Sequence, residues 1–259
     1  MNKHLNVLYG ALAMLLAGPV CATTTWGLHD TPSTGVSIAA VANTDGTNVA
    51  NNAAVQKIEA AEWVSTYGGI NNADNPGSGR LASDIDASEG AYPEHAIDNN
   101  ERYEMVLLTF SEKVNLSAVN LNWRYGSDSD ITVMAFQGAT GSQGLIGKTW
   151  STLDSGWNLI SHYNNVPTNT NYALGAGAAG IYSSFWLIGA YNPLVGGSAA
   201  SGLDIGDDYV KLASVTGTVC PPGNSQCSPP SSNVPEPGSF ALVGLGLLGV
   251  MRLRKARQA

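Results

Sequence analysis

Basic residues are scarce in this sequence. Its 259 residues hold 12 Lys and Arg against 20 Asp and Glu, a net charge of −8. Between Thr23 and Val234 the imbalance deepens to 19 acidic and 7 basic residues, a net of −12. Nucleic-acid binding needs clustered cations to displace phosphate counterions, so that class of partner is excluded. Histidine and cysteine are rare too, at four and three. Cys220 and Cys227 have no His near them in sequence, which falls short of a zinc ligand set. Neither a G-x-S-x-G elbow nor an H-E-x-x-H helix is present. A hydrolase would have to recruit His95 or His162 as base, and Glu94-His95 reads better as a hydrogen-bonding loop pair. Glycosidase-type carboxylate pairs are positioned by the fold, so sequence spacing leaves them open. The expectation is a protein that is not an enzyme.

Long apolar runs are also missing. The C-terminal stretch Ser239–Met251 is apolar or Gly apart from its first residue, and as a helix it would reach about 20 Å, short of a hydrocarbon core of roughly 30 Å. Arg252, Arg254, Lys255 and Arg257 follow it. By the positive-inside rule they stay cytoplasmic, which places everything N-terminal to the run across the membrane. The glycines of "GLGLLG" match a dinucleotide fingerprint in letters only, since no strand leads into them and no βαβ unit has room to follow. At the other end, Lys3, the apolar stretch Leu5–Ala17 and the small residues around Val20-Cys21-Ala22 read as a signal peptide cut by signal peptidase before Thr23. Cys21 is then lost, and an oxidising compartment favours a Cys220–Cys227 bridge across a short loop. The segment 219–233, "VCPPGNSQCSPPSSN", has too few apolar side chains for a core and reads as an extended spacer.

Val234-Pro235-Glu236-Pro237, a short apolar helix and a basic terminus together resemble the PEP-CTERM sorting signal of Gram-negative bacteria. The resemblance implies processing by exosortase, a membrane-embedded transpeptidase, near Pro235-Glu236-Pro237. It also implies transient residence in the inner membrane, delivery to the cell surface or matrix, and association with exopolysaccharide and biofilm. Gly90–Phe136, Ser183–Pro193 and Asp207–Gly217 extend the likeness to exosortase-dependent surface proteins with a β-rich ectodomain, and "PEHAIDN" faintly resembles discoidin-type galactose-binding domains. The expected organisation is a signal peptide (1–22), an ectodomain (23–218), a linker (219–233) and a sorting signal (234–259).

The ectodomain reads as strands. Met105–Phe110, Val114–Trp123, Ile131–Phe136, Trp157–Tyr163, Tyr182–Tyr191 and Asp208–Val219 are apolar or alternating runs bounded by turn residues. A phase slip at Ser117-Ala118 suggests a bulge. Only Ala53–Val64 has a helical composition. Short antiparallel strands with polar loops point to an all-β fold, an antiparallel β-sandwich of jelly-roll type, flanked by an N-terminal signal helix and a short C-terminal transmembrane helix.

Two acidic turns stand out beside these strands: Asp128 and Asp130 in "GSDSDI", and Asp204, Asp207 and Asp208 in "LDIGDDY". A hard cation wants several such oxygens, which makes structural calcium the one cofactor to consider. Asp also favours turns for its own backbone hydrogen bonds. Trp123, Trp157 and Trp186 are expected in the core, whereas Trp63, Tyr92, Tyr125 and Trp150 fall nearer loops and are candidates to stack on sugars. Sequence alone therefore leaves three readings of the ectodomain: a passive or exopolysaccharide-associated structural domain, a carbohydrate- or calcium-binding module, and a hydrolase of matrix polysaccharide.

Overall fold

A computed structural model describes residues 22–45, 55–71, 95–100, 102–139, 143–197 and 201–221. All of them belong to the first of two compact units, Met1–Pro222; the second is Gly223–Ala259. The described chain is built from β1 (Thr23–Gly27), β2 (Val36–Asp45), β3 (Lys57–Val64), β4 (Gly69–Asn71), β5 (Ile97–Asp98), β6 (Glu104–Arg124), β7 (Ile131–Phe136), β8 (Trp157–Tyr163), β9 (Tyr172–Ala173), β10 (Ser183–Ala190) and β11 (Tyr209–Val219). Helix among the described residues is one α turn at Gly175–Ala178 and 3-10 turns at Trp150–Thr152 and Pro193–Val195.

The expected β-sandwich of jelly-roll type is not what forms. All eleven strands join one sheet, along the path β4-β3-β2-β6-β10-β7-β8, with β9 and β11 added on β6 and with β1 and β5 on β11. The cause is the 21-residue strand β6, which the sequence pattern divides into two. Glu104–Phe110 pairs with β2 on one side, and Met105–Thr109 with β10 on the other; Val114–Arg124 pairs with β11. Strands that would otherwise belong to two facing sheets are thereby hydrogen-bonded into one. The helix expected from Ala53–Val64 is also replaced, by β3. Its residues Ala60 and Ala61 pair with Val41 and Ala40 of β2, and its two buried residues, Ile58 and Ala61, join different core clusters on opposite faces of the strand. Tertiary pairing overrides the helix propensity of Ala, Glu and Lys. Among the described residues no helix is long and apolar enough to cross a membrane. The signal helix and the transmembrane helix expected at the two ends lie outside the described residues.

Elsewhere the pattern and the fold coincide. Ile131–Phe136 and Trp157–Tyr163 are strands with those bounds. The slip at Ser117 is a register shift, since Thr216 and Gly217 are consecutive while their partners Ala118 and Leu116 are not. β7 lies between β10 and β8 and is buried at every residue. One core cluster takes side chains from both halves of β6 (Val106, Leu108 and Phe110 with Leu116, Val119 and Leu121), together with Ile188, Leu212 and Val215.

Trp186 of β10 sits where β6 changes partners. It is fully buried, and its indole Nε1–H is shared between the carbonyls of Val114 (3.2 Å) and Ser183 (3.1 Å). Ser183 Oγ in turn donates to Phe136 O and accepts from Phe185 N. A buried ring with its polar atom satisfied ties β10 to the point where β6 changes partners at low cost. Trp186→Ala should therefore destabilise the domain by about 3–5 kcal/mol, through the cavity and the orphaned carbonyls. Urea unfolding would read this loss, and Trp186→Phe should recover part of it.

Candidate cation site

β6 ends at Arg124 and the chain turns at Gly126, with φ of 66°, before entering β7 at Ile131. β11 begins at Tyr209 after a loop that turns at Gly206, with φ of 96°. Arg124 pairs with Val210, and Tyr125 N donates to Tyr209 O at 3.0 Å, so the ladder brings the two turns together. The five aspartates singled out from sequence meet there. Asp128, Asp130 and Asp208 form one group and Asp128, Asp204 and Asp207 another, with one carboxylate oxygen from each residue of a group within 4.8 Å of the others. Asp128 belongs to both. Asp130 and Asp208 are fully buried, whereas Asp204 and Asp207 are exposed.

The inner pair is held by directed bonds. Asp208 Oδ1 accepts from Asp130 N, and its Oδ2 accepts from Asn99 Nδ2 at 2.6 Å. Asn99 Oδ1 accepts from Gly206 N (3.0 Å) and Asp208 N (3.1 Å), which clamps the loop before β11. Asp130 Oδ1 accepts from Asn165 N at 2.7 Å, and Asp128 Oδ1 from Ser129 N at 2.8 Å. Asp130 Oδ2 is buried with no hydrogen-bond partner. Among the described residues no Lys or Arg forms an ion pair with any of the five. Arg124, the nearest cation in sequence, donates to Ser129 Oγ instead.

Burial and mutual repulsion act on these carboxyls together. Burial pushes Asp208 up to about 8, reinforced by the charges of Asp130 and Asp128 and opposed by the bonds from Asp130 N and Asn99. Asp130 rises to about 6, chiefly through burial, against the bond from Asn165 N. Asp204 is raised mainly by the charge of Asp207. A divalent cation would remove these penalties, and the all-oxygen donor set suits a hard ion. Asp128, Asp130 and Asp208 would hold it within the fold, or Asp128, Asp204 and Asp207 at its surface. Asn99 and Asn165, which orient the inner carboxylates, carried no signal in the sequence beyond a general preference of Asn for turns.

The remaining candidates are dispersed. Burial lowers the pKa of His162. Both its ring nitrogens are engaged: Nε2–H donates to Gly196 O (2.8 Å), which fixes the tautomer, and Nδ1 accepts from the buried Thr132 hydroxyl (2.9 Å). His29 pairs with its neighbour Asp30, and His95 stacks on Tyr67 at 4.8 Å. Trp150 and Trp157 are core residues, Trp123 is half-buried rather than in the core expected for it, and Trp63 lies in β3. Tyr125 is exposed. Cys220 is disulfide-bonded; Cys227, its expected partner, lies outside the described residues, as do Tyr92, Glu94, Val234–Pro237 and the cations Arg252, Arg254, Lys255 and Arg257.

Residues 233–255 match the family model of the PEP-CTERM protein-sorting motif. The match takes in Val234-Pro235-Glu236-Pro237 and three of the four terminal cations, Arg252, Arg254 and Lys255. No curated protein and no solved structure matches the chain.

The raised carboxyls give the metal-free domain a defined pH dependence. In an unfolded chain Asp titrates near about 4, so folding takes up protons at Asp130 and Asp208. Their stabilising contribution is complete below about pH 4 and is lost as pH rises through about 6 and then about 8. In EDTA the melting temperature should therefore fall between pH 5 and pH 8.5. Added calcium needs the ionised carboxylates, so its stabilising effect should grow over the same interval. A melting temperature in EDTA that does not fall over this range would contradict the assignment.

Proposed function

We propose that this chain, which carries the PEP-CTERM sorting motif and is exported and processed by exosortase at the cell surface, delivers a non-catalytic β-domain stapled by calcium to the extracellular matrix. The observation that carries the reading is Asp130. A fully buried carboxylate, with one oxygen unpartnered and two further carboxylates within 4.8 Å, lacks the counter-charge that burial demands. Calcium takes six to eight oxygens in a flexible shell and accepts several carboxylates plus backbone carbonyls, whereas magnesium prefers a tighter octahedron with retained water. Extracellular calcium modules work at about 10⁻⁴ to 10⁻³ M, a range suited to a domain that meets the ion after export.

The same geometry favours a structural role over hydrolysis. A general acid must reach the glycosidic oxygen, yet the two carboxyls with the most raised values are fully buried. His162 spends both nitrogens on backbone and core contacts. Signal peptidase cleavage before Thr23, passage through the inner membrane and association with exopolysaccharide complete the proposed route.

Asp130→Asn separates this reading from a turn that merely favours Asp. The amide would donate from the position of the unpartnered oxygen to the neighbouring carboxylates. The variant should therefore melt higher than wild type in EDTA at pH 8 and lose the calcium-dependent rise. Retention of that rise would overturn the site. Replacing Pro235-Glu236-Pro237 with three alanines should leave unprocessed protein in the inner membrane, and fractionation with an antibody to the ectodomain reads the outcome.

A further inference from the structure

Beside the aspartates, the outward face of the β6–β11 ladder carries a row of rings. Trp123 near the end of β6 and Tyr125 just beyond it lie on this face, and Tyr209 and Lys211 alternate outward at the start of β11. The turn after β3 adds Tyr67. Gly68, with φ of 71°, accepts from Leu212 N at 2.8 Å, and a Cβ at Gly68 would lie 2.8 Å from Leu212 O, so the turn presses against β11. Lys211 Nζ consequently sits between two rings, 5.0 Å from the centroid of Tyr67 and 4.8 Å from that of Trp123. The row continues at both ends. His95 stacks on Tyr67 with an interplanar angle of 14°, and Tyr125 lies 6.4 Å from Trp123 and 6.0 Å from Tyr209.

Tyr67 and Tyr125 are 46% and 51% exposed, two of five large hydrophobic side chains so placed among the described residues. Their occurrence in one row, rather than scattered, calls for a ligand. The row is one ring wide and interrupted by an ammonium, too narrow and too polar for the apolar centre of a protein interface. It offers the exposed ring surface of Tyr67 and Tyr125 for C–H surfaces, and donors at Lys211 and the Tyr67 and Tyr125 hydroxyls for oxygens, the two halves of a pyranose. Asp128, Asp204 and Asp207 flank the Tyr125 and Tyr209 end, so a polyanion is repelled. An extended row suits an extended chain.

We propose that Tyr67, Lys211, Trp123 and Tyr125 form a binding platform for an uncharged, extended polysaccharide, with sugar faces on the rings and a hydroxyl on Lys211. The inference deepens the matrix-associated reading and rests on it. The probes are cellohexaose, mannohexaose and xylohexaose, three neutral β-1,4-linked hexasaccharides, titrated into the full-length protein with calcium by calorimetry and by quenching of tryptophan fluorescence. Polygalacturonate serves as the charged control. Saturable binding of at least one hexasaccharide is expected, weakened about tenfold by Tyr67→Ala or Tyr125→Ala. Both tyrosines are exposed, so these variants should keep the wild-type melting temperature and its response to calcium. Lys211→Met should weaken binding while retaining the packing of the stem. Failure of all three sugars, undiminished binding by the tyrosine variants, or equal binding of polygalacturonate would overturn the platform. Matrix association of the tagged protein on cells, measured in parallel, fails separately if the broader reading is wrong.

Discussion

The backbone pairing of Arg124 with Val210 governs what the surface of this domain can do. It is one rung of the ladder between β6 and β11, and everything placed at that end of the sheet depends on it. Two turns eighty residues apart in sequence are brought side by side there, one supplying Asp128 and Asp130 and the other Asp204, Asp207 and Asp208. On the outward face the same rungs set Trp123 against Lys211. Inward, Leu121 and Leu212 are buried in the core that holds the ladder rigid. The acidic cluster and the aromatic row are thus products of one register, and a slip of one residue would exchange the inward and outward faces.

Much of this was legible residue by residue and little of it pair by pair. β7 and β8 announced themselves through apolar runs bounded by turns, and the bulge at Ser117 through a change of phase. Alternation reports which side chains face the core but not which strand lies alongside, so nothing in the pattern revealed that β6 continues through Ser111–Lys113 and merges two ladders. β3 was hidden because Ala, Glu and Lys favour a helix until β2 supplies partners. The acidic turns were visible as candidate ligands. Their convergence was not, because it depends on contacts across the sheet, and Asn99 and Asn165 acquire meaning only through Asp208 and Asp130. Trp150 looked like a loop residue and is buried because its 3-10 turn packs with Trp157 and Phe136.

The sorting motif and the ectodomain impose different demands on one sequence. The motif, over residues 233–255, concentrates four of the chain's 12 cations at or just beyond its end. The ectodomain is left strongly acidic, and its buried Asp130 and Asp208 form no ion pair with a Lys or Arg among the described residues. A charge deficit of this kind is tolerable where divalent ions are plentiful, and it keeps an exported domain soluble.

The direction of β11 has a mechanical consequence. The strand ends at Val219, directly before disulfide-bonded Cys220, whose N–H still bonds to Lys113 O at 2.8 Å. Tension arriving from the C-terminal side runs along the axis of β11, which lies between β1 and β6 and pairs antiparallel with both. Its rungs are loaded in shear and must yield together, unlike a hairpin peeled open one rung at a time. The aspartate turns stand at the opposite end of the strand. An ion held there would act as the anchor bolt of a tensile member.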